Sequence, residues 1–411
     1  MKLFIDSFNT RLWLGTVISS VTPWLILSPF IDLNGGFAYS ISMILCGLGH
    51  FINAKLTYAI TIHPGKKSGF VVIPNTLICF FFLWVFAKFL SLPYSLKYLA
   101  IGGLTSFICS YMGLLYRTNQ KQIFAFIPLG RAKNTNTLPN AEWLQLQNMT
   151  LPDTPIDGIV ADLHDPTLAN AWQTFLANQT LKGMPVYHIR TVEENLTGRV
   201  KIHHMYENNL GSLLPSSWYM SLKRVIDTLI ILLTLPITIP IMLITAIAIK
   251  LHDGGSIFYT QQRIGYKGIP FKMYKFRSMS ENTKLNKQQN TVLNDARITY
   301  IGKFIRKTRI DEFPQFFNVL LGEMSLIGPR AEFKDYADEL EKSVPFFNYR
   351  HIVRPGISGW AQVMHGYATG TDETKIKIEY DFYYIKHFSL SLDIVIFFKT
   401  IKTMLTGFGA R

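Results

Sequence analysis

Asp311 and Glu312 stand side by side in a stretch of chain otherwise crowded with cations. Between residues 251 and 330 there are 13 Lys and Arg against six Asp and Glu. Three basic groups stand out: Lys272, Lys275 and Arg277; then Arg306, Lys307 and Arg309; then Arg330 after Gly328-Pro329. Arg and Lys at this density recognise phosphate through charge-assisted, often bidentate hydrogen bonds. A basic surface drawn to anionic lipid is the competing reading. Ile301, Phe304, Ile305 and Phe313, at near-helical spacing, could lie in the membrane interface beside the second group. A carboxylate held among arginines stays ionised. It could attack a phosphoryl group if a divalent metal offset the repulsion between two anions. An Asp oxygen suits Mg²⁺, which is normally shared with substrate phosphates. Taken alone, an adjacent acidic pair is also a common solvated helix start, and Pro314 fits a first helical turn.

A second run, RPGISGWAQV at 354–363, places turn glycines around an aromatic. Gly356 and Gly359 allow close backbone approach, and Trp360 could stack on a ligand or pack in a core. The ten histidines show no zinc spacing, and no Walker loop is present.

These residues need elements to hold them. The run 225–249 is 25 residues of nearly unbroken aliphatic sequence, long enough as a straight helix to span a bilayer. Pro236 and Pro240 oppose that reading, since each deletes a backbone donor and kinks a helix. Both flanks are also basic, and a crossing would put the phosphate-binding residue types outside the cell. A helix over 223–250 that enters, breaks near Pro240 and returns keeps both ends on one face.

Upstream, segments 123–129, 143–146, 156–162 and 185–189 read as short buried strands, with an amphipathic helix over 168–182. That order predicts a small α/β layer with a parallel sheet. Its first turn has one glycine, Gly130, where a dinucleotide fingerprint needs three, so self-association or regulation is the better reading. The first 120 residues carry four apolar stretches, 12–31, 37–52, 70–90 and 96–116, with His50, Asn53 and Lys55 blunting the second. Lys2, Arg11, Lys55, Lys66 and Lys67, with Arg117 and Lys121, orient the amino terminus and everything after the fourth stretch to the cytoplasm.

Composition agrees. In 411 residues, 48% are hydrophobic and 17% charged, short of the quarter usual in soluble chains. The net charge of +14 suits anionic partners. Cys46, Cys79 and Cys109 all fall in apolar runs and cannot form a disulfide framework. Disorder, a secreted disulfide scaffold and a simple soluble enzyme are all disfavoured. Nucleic-acid binding is disfavoured, because the basic groups adjoin hydrophobic interface segments instead of forming a freestanding module.

Assembled in order, the motifs KRVID at 223–227, YKFRSM at 274–279, DEFPQFFNVL at 311–320, GEMSLIGPR at 322–330, RPGISGWAQV at 354–363 and DFYY at 381–384 resemble the bacterial sugar transferases. These are the monotopic-type polyprenol-phosphate phosphoglycosyl transferases. The whole layout is similar to long-form members, the undecaprenyl-phosphate galactose and glucose phosphotransferases that start exopolysaccharide, capsule or O-antigen units. The resemblance implies a ping-pong reaction between a UDP-sugar and undecaprenyl phosphate that releases UMP through a covalent aspartyl-phosphosugar. It makes Asp311 the nucleophile and Mg²⁺ ligand, Glu312 its catalytic partner, and Pro240 the break in a re-entrant helix. Lys275, Arg277, Arg306, Arg330, Arg354, Gln362 and Asp381 fall on motif positions associated with substrate. Ala331 and Ile239 depart from the family pattern beside Arg330 and Pro240.

The expected fold is thus membrane α plus α/β, in three parts. Residues 1–120 form four transmembrane helices, 121–210 a small cytosolic Rossmann-like α/β domain, and 211–411 a mainly α catalytic domain with the re-entrant helix. The expected location is the bacterial inner membrane with the catalytic part on its cytoplasmic face. Membrane lipid is a partner, and a homodimer is the expected assembly.

Overall fold

The computed structural model describes residues 8–30, 36–62, 72–119, 122–201, 215–280, 297–344, 346–366 and 371–406. Lys2, Lys66, Lys67 and Lys121, which carry part of the expected orientation, lie outside the described residues. By its internal contacts the chain divides into two units, Met1–Gly198 and Arg199–Arg411.

The first unit opens with four helices: α1 (Phe8–Leu27), α2 (Gly36–Ile62), α3 (Val72–Phe89) and α4 (Leu96–Asn119). Residues 36–60, 72–89 and 96–116 are each long and apolar enough to cross a membrane. Outward-facing side chains such as Leu77, Phe82 and Phe89 are exposed, as a lipid-facing surface requires. Helix α2 runs ten residues beyond the apolar stretch read from sequence. His50 and Asn53 do not end it, because both face inward. Asn53 Nδ2 reaches Thr76, Ser106 and Ser110 hydroxyls at 3.0, 3.1 and 3.1 Å.

Next come β1 (Gln122–Phe126), β2 (Ala141–Gln145), β3 (Gly158–Ala161), α5 (Asn170–Leu181), β4 (Val186–His188) and α6 (Ile189–Thr197). The four strands form one sheet in the order β2-β1-β3-β4, with every pairing parallel. Phe124 pairs with Trp143 and Ala125 with Ile159. One face buries Ala125, Ile127, Ile159 and Ala161 against α5 through Phe175 and Leu176; the other buries Phe124, Phe126 and Val160 against Ile189 and Val192 of α6. Alternation along each strand feeds the two faces, so the expected parallel layer is present.

The second unit begins at Arg199, upstream of the expected boundary, where Val200 N–H donates to the Glu379 carbonyl at 3.0 Å. Its elements are α7 (Ser217–Asp253), β5 (Phe258–Ile264), β6 (Pro270–Phe276), α8 (Tyr300–Lys307), α9 (Gln315–Leu321), β7 (Ser325–Ile327), α10 (Lys334–Ser343), β8 (Gly356–Ser358), α11 (Trp360–Met364), α12 (Thr371–Lys386) and α13 (Leu390–Thr406). Strands β5 and β6 form an antiparallel hairpin, and β7 pairs in parallel with β8.

Helix α7 is continuous for 37 residues, through Pro236 and Pro240. The interruption expected near Pro240 is therefore absent as a break in helix. Both prolines sit on the exposed side, and each removes only one donor. The buried side is a stripe at helical spacing: Lys223, Asp227, Ile231, Thr238, Met242, Thr245 and Ile249. Ile231 packs with Phe271, Met273, Val319 and Met324, whereas Met242 and Ile249 pack with Phe276 and Ile305. Leu233, Ile237, Ile244 and Leu251 on the other side are two-thirds or more exposed.

Candidate active site

The acidic pair lies in a single tight turn, Ile310–Glu312, between α8 and α9. Arg309 enters it in the left-handed region, φ 60° and ψ 15°, a conformation a non-glycine residue adopts only when its surroundings enforce it. That backbone reverses the chain so that the basic end of α8 faces the pair. Pro314 caps the start of α9, and Gly322 closes it at φ 87°.

Glu312 is buried inside a ring of cations. Lys275 Nζ, from β6, donates to its Oε1 at 3.0 Å; Arg330 Nη2 stands at 3.5 Å and Arg309 Nη1 at 3.6 Å from the same oxygen. Burial works against its charge, but Lys275, Arg330 and Arg309 together hold this carboxyl well below the usual range. Asp311 behaves in the opposite way. Burial first, then the neighbouring Glu312 charge, pushes it up to about 6, and Lys275, Arg309 and Arg306 offset only part of that. The expectation that the arginines keep a carboxylate ionised thus holds most strongly for Glu312, whereas Asp311 titrates higher, at about 6, and is still mostly ionised at neutral pH. Two adjacent carboxylates share one set of cations, and Glu312 takes the contacts.

Asp311 Oδ1 is buried and has no hydrogen-bond partner among the described residues. A hard anionic oxygen without a donor, next to a carboxylate already neutralised, fits Mg²⁺ held by one protein carboxylate and completed by substrate phosphate oxygens. Among the described residues, no group of three or more His, Cys, Asp or Glu could form an all-protein metal cage.

The other sequence-predicted residues are placed differently. Arg306 is close enough to Asp311 to lower its pKa. Arg277 is buried, its guanidinium packed on Gly255, where an added Cβ would lie 1.9 Å from Nη1. Gln362 has a buried Oε1 without a partner among the described residues, beside Gly359. Arg354 donates from Nε to the Gly322 carbonyl at 2.9 Å, with its guanidinium over the Tyr266 ring at 5.1 Å. Arg224 from α7 does similar work, donating to the Val319 and Leu320 carbonyls. Both arginines thus satisfy the open carbonyl end of α9, the helix that follows the turn bearing the acidic pair.

Asp381 is buried in an ion pair with Arg350, Nη2 to Oδ2 at 2.7 Å. Arg350 also donates to the Arg330 carbonyl at 2.9 Å and stands 3.4 Å from Glu332, which Lys377 reaches at 2.6 Å. Arg350 and Glu332 carry no motif signal and were invisible in the sequence, yet they fix the backbone of Arg330. The loop holding Arg330 is packed backbone on backbone. A Cβ on Gly356 would meet Gly328 N at 2.1 Å, and one on Gly359 would meet Gly328 O at 2.3 Å. The glycines of 354–363 serve this approach, and Trp360 is fully buried in the core.

A cationic clamp on one carboxylate, beside a second carboxylate with an unpartnered oxygen, suits a phosphorylated ligand. Comparison with known proteins gives the family. The family model described as bacterial sugar transferase matches residues 218–407. The UDP-N-acetylgalactosamine-undecaprenyl-phosphate N-acetylgalactosaminephosphotransferase of Aeromonas hydrophila is 46% identical over 371 residues, 88% of this chain and 87% of that protein. The UDP-glucose:undecaprenyl-phosphate glucose-1-phosphate transferase of Klebsiella pneumoniae is 40% identical over 185 residues, 44% of this chain and 40% of its own length. Its Escherichia coli namesake is 39% identical over 185 residues, 44% and 39% of the two chains. The chain belongs to the bacterial sugar transferase family and is a sugar-phosphate transferase.

Proposed function

We propose that this enzyme transfers a phosphosugar from a UDP-sugar to undecaprenyl phosphate by a ping-pong route through Asp311. An Asp311 oxygen attacks the β-phosphorus, the bond to the bridging oxygen breaks, and that oxygen leaves with UMP. The enzyme then carries the phosphosugar as an acyl phosphate. A phosphate oxygen of undecaprenyl phosphate attacks the same phosphorus and frees the Asp311 carboxylate. One phosphoanhydride replaces another, so no ATP is consumed. The observation that carries this reading is the buried, unpartnered Asp311 Oδ1 beside a Glu312 that is already clamped by Lys275 and Arg330. Lys275, Arg309 and Arg330 provide the positive field for the pyrophosphate. Mg²⁺ held at Asp311 would neutralise charge on the pyrophosphate oxygens when bound. Because the Aeromonas relative matches along most of the chain, UDP-N-acetylgalactosamine is the donor to test first.

The packing of α7 supports a helix that dips into the membrane and stays on one side. Residues 223 and 249 lie about 39 Å apart along a straight helix, enough to cross a bilayer. Yet both ends pack on one folded unit: Lys223 pairs with Asp393 at 2.6 Å, and Ile249 clusters with Phe276. Ile231 and Ile249, 18 residues apart on α7, both pack on strand β6 through Phe271 and Phe276, which favours both ends lying on one side. On this reading the site lies on the cytoplasmic face, where UDP-sugars are made.

The test is a panel of UDP-sugars offered to the purified full-length protein, following UMP release with and without undecaprenyl phosphate. The expected result without acceptor is one UMP per active site and a covalent mass increase equal to one phosphosugar. Sustained UMP release that strictly requires acceptor, with no adduct at any time, would replace the ping-pong route by direct transfer.

A further inference from the structure

A cavity opens at one end of the α1–α4 bundle, far along the sequence from the acidic pair, and its chemistry is not used by the reaction. Arg11, His50, Thr57 and Ser110 line one part of it, and Phe8 and Leu114 line another. Arg11 lies one turn into α1, Thr57 in the last turns of α2, and Ser110 and Leu114 toward the end of α4. The polar residues around it are otherwise satisfied by one another. His50 Nδ1 meets the Ser106 hydroxyl at 3.0 Å, and Asn75 Nδ2 donates to Asn53 Oδ1 at 2.8 Å and to the Thr57 hydroxyl at 3.0 Å. Asn53 donates to Ser110 in the same way at 3.1 Å. Thr57 and Ser110 therefore accept from amides, which leaves their own O–H groups to donate.

Arg11 is the exception. Its guanidinium lies over the Tyr116 ring at 5.0 Å, but Nη1 is buried without a hydrogen-bond partner among the described residues. Among the described residues, no acidic side chain lines the cavity. An arginine inside a bundle of membrane-capable helices is costly to place and marks a site by default. Its planar fork, with hydroxyl donors nearby and no acceptor carboxylate among the described residues, suits a tetrahedral oxyanion. The apolar wall on the other side fits the start of a hydrocarbon chain.

We infer that this cavity binds the phosphate headgroup of a membrane lipid, with Arg11 as the anchor and Thr57 and Ser110 as supporting donors. Arg11 sits about one helical turn inside the bundle end, which is headgroup depth in one leaflet. The occupant is a lipid phosphate, because a free anion would leave the apolar wall unused.

Gly113 gives a clean test. It lines the cavity, and a Cβ added there would meet nothing within 4 Å. Gly113→Leu fills the space while favouring helix. Native mass spectrometry of the full-length protein, titrated separately with undecaprenyl phosphate and with phosphatidylglycerol, counts bound lipid. At least one of the two should bind the parent at this site, and Arg11→Gln and Gly113→Leu should each weaken that one lipid by about tenfold or more. Asp311→Asn, which lies in the other unit, should retain it. Inorganic phosphate at millimolar concentration should not compete. The inference is overturned if neither lipid binds, if Gly113→Leu keeps the parental lipid count, or if inorganic phosphate displaces the lipid.

Discussion

Two buried ionic clusters in the second unit use the same residue types to opposite ends. Around Glu312, three cations, Lys275, Arg309 and Arg330, converge on one carboxylate, with Asp311 beside it holding a bare oxygen. Around Arg350, two cations and two carboxylates close on themselves: Arg350 and Lys377 with Glu332 and Asp381. The first cluster has positive charge to spare and can accept an anion. The second is balanced and leaves no net charge for a ligand to neutralise; burial raises Asp381 in spite of Arg350 and Lys377, while Lys377, Arg350 and Arg263 hold Glu332 ionised. Charge balance, more than the presence of Asp, Glu or Arg, separates a reactive site from its support.

Breaking the reactive cluster should have the largest effect on turnover. Asp311→Asn removes the attacking oxygen and should lower kcat by more than about a thousandfold, with no covalent adduct by intact mass. Folding should be unaffected, since Asp311 makes no hydrogen bond through Oδ1. Activity above a few per cent would assign the nucleophile elsewhere.

Breaking the balanced cluster should act on stability. Arg350→Met leaves Asp381 as a buried carboxylate without its ion-pair partner, with Glu332 held by Lys377 alone at ion-pair distance, and should cost about 3–5 kcal/mol. The double variant Arg350→Met, Asp381→Leu should recover part of the loss, read as melting temperature in detergent. If the single variant melted like the parent and only KM for the UDP-sugar rose, Arg350 and Asp381 would belong to the substrate site instead.

The comparison also predicts opposite pH shifts. Asp311 must be ionised to attack, and its folded value is raised to about 6, so kcat/KM of the free enzyme should fall about tenfold per pH unit below that value. Glu312→Gln removes a repelling charge, so the residual acid limb should move to lower pH. Lys275→Met removes a cation that favours both carboxylates, so the limb should move to higher pH. An acid limb that ignores both substitutions would mean that Asp311 is not the titrating group.

How much of this could be read from the chain follows from what kind of pattern each feature leaves. The parallel sheet was legible because 156–162 and 185–189 are short apolar runs flanking an amphipathic helix, and β3, α5 and β4 fall there. The acidic pair was legible because it interrupts a basic field. Its internal asymmetry was not, because burial and the choice of Glu312 by Lys275 depend on a strand 37 residues away. Helix α7 shows the same limit. Two prolines read locally as a break, but its buried stripe, at steps of three, four or seven residues from Lys223 to Ile249, is made by packing. Asp381 and Arg354 sit in motifs, and motif membership does not distinguish a group that touches substrate from one that holds the loop that does.

Arg354 offers the smallest and sharpest version of that distinction. Its Nε donates to the Gly322 carbonyl, and its guanidinium covers Tyr266. A lysine keeps the charge but cannot make the directed N–H contact and the planar stacking together. Arg354→Lys should therefore destabilise the second unit by about 1–2 kcal/mol, through the lost charge-assisted hydrogen bond and ring contact. Because the carbonyl end of α9 is remote from the turn that bears Asp311, KM for the UDP-sugar should stay within about twofold and kcat should fall only modestly. Arg354→Met should lose a little more stability and show the same kinetic pattern. If charge at this position served the pyrophosphate directly, the lysine variant would keep most of the affinity and the methionine variant would raise KM steeply at unchanged melting temperature. That split between the two variants would move Arg354 from the frame of the site into the site itself.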